Sequence, residues 1–182
     1  MKRMAIIYHS VEGQAEKIAH QIARSVADQG VCADTFPVSS APASLWTYDA
    51  IIAGGSVHLG RHHKDLLAYI RKHVSQLRAR HSAFFSVSMT AANGDDESRA
   101  LIREIVDAFL DDADWHPDAV AIFAGALPYS QFGFLKRHLV KQFARRMGQP
   151  TDTSRDYEFT DWDAVDRFAA GVVAGLRPAV AS

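Results

Sequence analysis

Seven residues near the amino terminus, His9-Ser10-Val11-Glu12-Gly13-Gln14-Ala15, have the types and order needed to hold an anion. They lie where an apolar run ends and a helical spacing begins. Backbone N–H groups at such a helix start converge on one point, and the helix dipole favours negative charge there. Ser10 can add a hydroxyl, and Gly13 permits close backbone approach. The absence of Gly-x-Gly-x-x-Gly disfavours a dinucleotide, and the absence of Gly-Lys-Ser/Thr excludes an ATP-type loop. Two readings remain: a cradle for one phosphate that uses no lysine, or an ordinary strand-to-helix turn. Two more loops bear on that choice, Gly54-Gly55-Ser56-Val57-His58-Leu59-Gly60 and Ser88-Met89-Thr90-Ala91-Ala92-Asn93-Gly94. Both are small, polar and glycine-bearing, as a loop must be to wrap a flat ring with backbone contacts. If all three loops follow strands of one open α/β sheet, they share the edge at which such sheets bind ligands. Together they suit a planar, phosphorylated ligand.

His58, His62 and His63 crowd the second loop. No carboxylate or cysteine ligand stands beside them, so contact with a ligand, or the lead-in to a helix at Arg61-His62-His63-Lys64, is favoured over a metal site. His58 is the best placed for ligand contact, and Tyr129 follows a strand at the same edge. Trp46 and Trp115 read as packing residues, and Cys32, the lone cysteine, as an inert core thiol. Neither a Ser-His-Asp set nor paired carboxylates argue for hydrolysis, and no acidic pair after the first strand argues for a phospho-receiver. The segment from Gln131 to Met147 carries Lys136, Arg137, Lys141, Arg145 and Arg146 and no acidic residue. On a helical wheel Phe132, Leu135, Leu139, Val140, Phe143 and Met147 cluster on one side. Arg137, Lys141 and Arg145 face the other way, while Lys136 and Arg146 flank the stripe. Such a helix fits an anionic membrane surface or an anionic substrate, and equally a helix that packs its stripe inward.

Elements must hold these loops together. Short apolar runs at Met4–Tyr8, Val31–Phe36, Tyr48–Gly54, Ala83–Val87 and Ala119–Ala124 predict five strands. Between them, Ala15, Ile18, Ala19, Ile22 and Val26 repeat at helical spacing, as do Leu66, Leu67, Ile70, Val74 and Leu77, and then Leu101, Ile102, Ile105, Val106 and Phe109. A last stripe, Trp162, Val165, Phe168, Ala169, Val172 and Leu176, predicts a helix that starts at Thr160. Alternating elements with strands apolar throughout predict an α/β fold, a parallel sheet covered on both faces. The stretch from Ala126 to Phe159 is too long for a plain connection and reads as an insertion carrying the basic helix. The rest of residues 1–182 reads as one domain. Net charge is −1, so the whole-molecule field predicts no nucleic-acid partner. The first residues do not make a signal peptide, and no apolar run approaches the roughly 18 residues that span a bilayer. The expectation is a cytoplasmic protein able to touch a membrane surface.

Ser10-x-Glu12-Gly13-Gln14, followed by Tyr48-Asp49, resembles the flavodoxin family. More specific segments resemble the flavodoxin-like, quinone-dependent protoporphyrinogen IX dehydrogenases of bacterial haem synthesis. These are Gly55 to His63, Ala83-Phe84-Phe85-Ser86-Val87, Ala124-Gly125-Ala126-Leu127-Pro128-Tyr129, and Thr151-Asp152-Thr153 with Tyr157 and Thr160-Asp161-Trp162. The resemblance extends from residue 4 to about residue 170. It implies a doubly wound five-stranded sheet in the order 2-1-3-4-5. It implies FMN, with its phosphate on Ser10, Glu12, Gly13, Gln14 and Ala15. The ring would lie between Ser56, Val57, His58, Leu59 and Gly60 on one side and Ser88, Met89, Thr90, Ala91, Ala92, Asn93 and Gly94 on the other. It further implies oxidation of protoporphyrinogen IX, electrons passed to a membrane quinone, and a place on the cytoplasmic face of the inner membrane. An electron carrier of flavodoxin type and an NAD(P)H:quinone oxidoreductase are the alternatives; the balanced charge and cationic insertion speak against the carrier. Two departures from common flavodoxins stand out. Ala15 replaces a phosphate-binding threonine, and neither ring loop holds a tryptophan or tyrosine.

Overall fold

The computed structural model describes residues 1–127, 129–131, 141, 144–145 and 150–176. Five parallel strands, β1 (Arg3–His9), β2 (Cys32–Pro37), β3 (Ala50–Ser56), β4 (His81–Ser88) and β5 (Ala119–Ala124), form a sheet in the order β2-β1-β3-β4-β5. This is the expected order, with its reversal between β1 and β3. The helices are α1 (Gln14–Ala27), α2 (Lys64–Arg78), α3 (Asp96–Asp112) and α4 (Trp162–Gly175).

Alternation along β1 explains the two layers. Met4, Ile6 and Tyr8 enter a core shared with Ile18, Ile22 and Val26 of α1 and Val165, Ala169 and Val172 of α4. Ala5 and Ile7 point the other way, into a core with Leu66 and Ile70 of α2 and Val106 and Phe109 of α3. Each fully buried isoleucine, valine, leucine or methionine among them contributes roughly 1.5–3 kcal/mol relative to exposure. With both faces covered, the central strands carry no polar alternation.

Several boundaries and packing roles differ from the sequence reading. β3 runs two residues past the expected end at Gly54, so Gly55 and Ser56 belong to the strand as well. A Cβ on Gly54 would stand 2.2 Å from Cδ1 of Phe85, so the glycine makes room for that ring. The last helix is capped by Asp161, whose carboxylate accepts from the Ala164 N–H at 3.0 Å; the Thr160 hydroxyl is engaged elsewhere. Cys32 is half-buried, because β2 is an edge strand. Trp115 is fully buried, but Trp46 is 51% exposed and lies under the Arg80 guanidinium, 5.0 Å from the ring centroid.

Within the stretch read as an insertion, β6 (Ala126–Leu127) and β7 (Tyr157–Glu158) pair antiparallel, a feature two residues long that no periodicity could announce. Leu127, Tyr129 and Ala144 are buried together there, with Met89, Tyr157 and Phe159 packed against them. Lys141, Ala144 and Arg145 are helical, and Arg145 is exposed. The stripe from Phe132 to Met147, and Lys136, Arg137 and Arg146, lie outside the described residues.

Candidate functional site at the carboxyl edge of the sheet

β1 ends at His9, and the chain turns through Ser10 to Gly13 before α1 begins. Gly13 holds φ +88°, a left-handed conformation that costs an L side chain roughly 1–2 kcal/mol. A Cβ there would meet nothing within 4 Å, so backbone conformation and not crowding calls for glycine. No side chain caps α1, and its first i→i−4 bond runs from Lys17 N–H to the Gly13 carbonyl at 3.0 Å. The N–H groups of Gln14, Ala15 and Glu16 are therefore left at the helix start, where the dipole favours an anion.

The Gln14 side chain holds that start in place. Its Nε2 donates to Thr160 Oγ1 at 2.8 Å, and the Thr160 hydroxyl donates to the Ala124 carbonyl at 2.7 Å. This strut ties α1 to the end of β5.

Unpartnered polar atoms mark the same edge. Five buried side-chain nitrogen or oxygen atoms among the described residues have no hydrogen-bond partner. Four of them, His9 Nδ1, Ser10 Oγ, Ser56 Oγ and His62 Nδ1, sit at the ends of β1 and β3 or in the loop that follows. A buried polar group without a partner costs about 1–3 kcal/mol. Two such hydroxyls beside an uncapped helix start are suited to the oxygens of a phosphate monoester.

Beyond Ser56, the Val57 N–H extends the β3–β4 ladder to the Val87 carbonyl at 2.8 Å. His58 and Arg61 then exchange backbone hydrogen bonds of 2.9 and 3.2 Å around a two-residue turn. Both turn residues have positive φ, Leu59 at 50° and Gly60 at 76°. That is the signature of a type I′ hairpin, in which glycine, asparagine and aspartate are the favoured residues and leucine is not. The third loop is built by short bonds of its own. Ser88 Oγ accepts from the Ala91 N–H at 3.2 Å, Thr90–Ala92 forms a single 3₁₀ turn, and Gly94 takes φ +72°. Asp95 then caps α3, accepting from Ser98 N–H and Oγ at 2.8 and 2.9 Å, and these bonds hold its carboxyl below the usual range. The Gly125 N–H donates to the Ser88 carbonyl, and the Phe159 N–H to the Gly125 carbonyl, which joins this loop to the end of β5.

The histidines separate into distinct roles. His58 is exposed on the hairpin. His62 is only 6% exposed, its Nε2 3.0 Å from Ser86 Oγ and its ring against Phe84 and Phe109. Burial pushes its pKa down to about 4, so it stays neutral. His63 caps α2, accepting from the Asp65 N–H at 3.3 Å, and its ring stacks on His9 at 4.0 Å with a 5° interplanar angle. Desolvation, then the neighbouring His63, lowers the His9 pKa. His9 opens the loop expected to hold an anion, and its contact with the cap of α2 is set by the fold alone. Tyr129 is fully buried and its hydroxyl donates to the Pro150 carbonyl at 2.8 Å, which makes it a packing residue of the β6–β7 cluster. Among the described residues no group of three or more His, Cys, Asp or Glu is placed to hold a metal, and no helix is long and apolar enough to cross a membrane.

A cavity of about 710 Å³ lies between α1 and α4, lined by Lys17, His20, Arg24, Glu158 and Trp162 among others. It does not include the three loops, and Lys17 and Glu158 pair across it at 3.2 Å. The candidate site at the carboxyl edge is marked instead by the uncapped start of α1 and the unpartnered hydroxyls of Ser10 and Ser56.

Comparison with known proteins bears on this arrangement. A family model described as a flavodoxin domain matches residues 5–154. Solved flavodoxins share the fold. A short-chain flavodoxin associated with a bacterial microcompartment has a TM-score of 0.61 at 16% identity, over 97% of this chain and 100% of that one. A flavodoxin of Bacillus cereus has a TM-score of 0.59 at 18% identity, over the same shares. The architecture and loops thus define a flavodoxin-type domain. Closer in sequence is protoporphyrinogen IX dehydrogenase (quinone) of Escherichia coli K12, 30% identical over 165 residues, covering 90% of this chain and 91% of that protein. The protein of the same name from Leishmania major is 33% identical over 171 residues, covering 93% of this chain and 74% of that one. The chain therefore belongs to the flavodoxin family and, within it, to the flavodoxin-like protoporphyrinogen IX dehydrogenases.

Proposed function

We propose that this chain binds FMN and oxidises protoporphyrinogen IX to protoporphyrin IX, delivering the electrons to a membrane quinone. The observation that carries the cofactor assignment is the uncapped start of α1 beside the buried, unpartnered Ser10 and Ser56 hydroxyls. That donor set fits one phosphate monoester. The near full-length likeness to two proteins named for this reaction supports the substrate and the acceptor.

Ser10 and the backbone from Glu12 to Ala15 hold the phosphate. The loops Ser56–Gly60 and Ser88–Gly94 flank the ring. FMN supplies the capacity to take up reducing equivalents from the substrate and release them to a quinone. The chain supplies position: the Gln14–Thr160 strut fixes the helix start, and the bonds around Gly125 fix the ring loop against β5. The basic segment carrying Lys136, Arg137, Lys141, Arg145 and Arg146 lies on the anionic cytoplasmic surface of the membrane, where the quinone is dissolved.

The test is anaerobic. Protoporphyrinogen IX should bleach the bound flavin, and a quinone should restore its colour. A flavin that porphyrinogen leaves oxidised, while NADPH or a flavodoxin reductase reduces it rapidly, would replace this reading with that of a reductase or an electron carrier.

A further inference from the structure

The hairpin His58-Leu59-Gly60-Arg61 presents a set of side chains that its own fold does not use. Leu59 is 84% exposed and sits in the left-handed region, where asparagine or glycine would be less strained. Neither the Arg61 guanidinium nor the His58 imidazole has a hydrogen-bonding or ionic partner among the described residues, and both side chains are exposed. His58 and Arg61 are direct cross-strand neighbours, so their side chains leave the hairpin on one face, with the leucine at the tip between them. The hairpin is short, closed by two backbone bonds, and follows Ser56 directly at the carboxyl edge. An alkyl group held in water on a strained turn, beside an unpaired guanidinium, is complementary to an apolar body that carries a carboxylate.

We propose that this hairpin is a substrate subsite: Arg61 binds a propionate of the tetrapyrrole, and Leu59 packs on the macrocycle. The assignment rests on the reading of the protein as a protoporphyrinogen dehydrogenase. Arginine suits the task because its planar fork pairs with both carboxylate oxygens, which lysine cannot do.

The experiment measures binding of protoporphyrin IX, and of its dimethyl ester, to the FMN-loaded protein by porphyrin fluorescence. Arg61→Gln should weaken the dicarboxylate about tenfold and leave the diester unchanged, with Arg61→Lys restoring only part of the loss. Leu59→Asn should weaken both ligands, yet raise the melting temperature of the protein by about 2 °C through relief of the turn. A merely structural role for Leu59 would not combine higher stability with weaker binding. Equal affinity of wild type and Arg61→Gln for the dicarboxylate, or an equal loss for acid and ester, overturns the Arg61 assignment. Undiminished binding in Leu59→Asn overturns the contact at the tip. Anaerobic flavin bleaching by porphyrinogen separates the two levels. If the wild type bleaches and Arg61→Gln binds normally, only the subsite falls. If the wild type does not bleach, the function reading falls with it.

Discussion

His62 makes the stability of this protein depend on pH in a defined window. The imidazole is buried between Phe84 and Phe109 with Ser86 as its partner, and its pKa is lowered from the ordinary 6.5 to about 4 by desolvation. The sign follows from proton binding. Between pH 6.5 and 4 the unfolded chain takes up a proton that the folded chain refuses, so stability falls as pH drops through that window. Above about pH 7 both states are neutral, and the contribution of this group is flat. At about 1.4 kcal/mol for each pH unit separating the two values, the loss across the window is about 3 kcal/mol. That is a large part of the 5–15 kcal/mol typical of a domain. The perturbation is the double substitution His62→Leu with Ser86→Ala, which removes both polar partners and leaves neither orphaned in the core. Urea unfolding followed by circular dichroism, at half-unit steps from pH 7.5 to 4.5 and at equal FMN saturation, reads the difference. Wild type should lose about 2–3 kcal/mol more than the double variant over that range. His9, also lowered by desolvation, leaves the variant a residual slope in the same window. Carboxylates held down by hydrogen bonds, such as Asp49 and Asp166, act at lower pH, where stability is lost as they protonate. Parallel curves for wild type and variant between pH 6.5 and 4.5 would refute the reasoning.

Two further outcomes are expected. Gly54→Ala drives a methyl into the Phe85 ring and should cost about 1–3 kcal/mol, seen as a lower urea midpoint at unchanged slope; an unchanged midpoint would mean that the ring moves aside freely. Replacing Arg137, Lys141 and Arg145 together by glutamate should weaken binding to anionic vesicles by about 1 kcal/mol or more for each charge near the surface, in a salt-dependent way, and should lower activity with a lipid-dissolved quinone more than with a soluble analogue. Negligible vesicle binding by the wild type would remove the membrane surface from the account while leaving the flavin site intact.

The residues by themselves determined the layered α/β architecture. A strand covered on both faces has to be apolar at successive positions, and a helix that covers a sheet has to repeat its apolar residues at a spacing near 3.6, so β1 through β5 and the stripes of α1, α2 and α4 were legible as pattern. The strand-to-helix turn proposed to hold the phosphate was legible as a turn for a related reason: Gly13 and Ser10 stand at fixed offsets from a strand end and a helix start, all within a few residues. Contacts between residues distant in the chain were not legible. The Gln14–Thr160 strut joins positions 146 residues apart, and the His9–His63 stack joins the phosphate loop to the cap of α2; neither leaves a local trace. His62 looked like a surface or ligand residue from its type and neighbours, and became a neutral core residue only because Phe84 and Phe109 close over it. Gly54 was legible as the end of a strand, but its need to be glycine was not: it leaves space for Phe85 of the adjacent strand, a requirement that exists only once β3 and β4 are paired in register. Periodicity and turn chemistry act along the chain, whereas burial, pairing and proton affinity depend on which distant side chains arrive beside a group, and only the tertiary packing decides that.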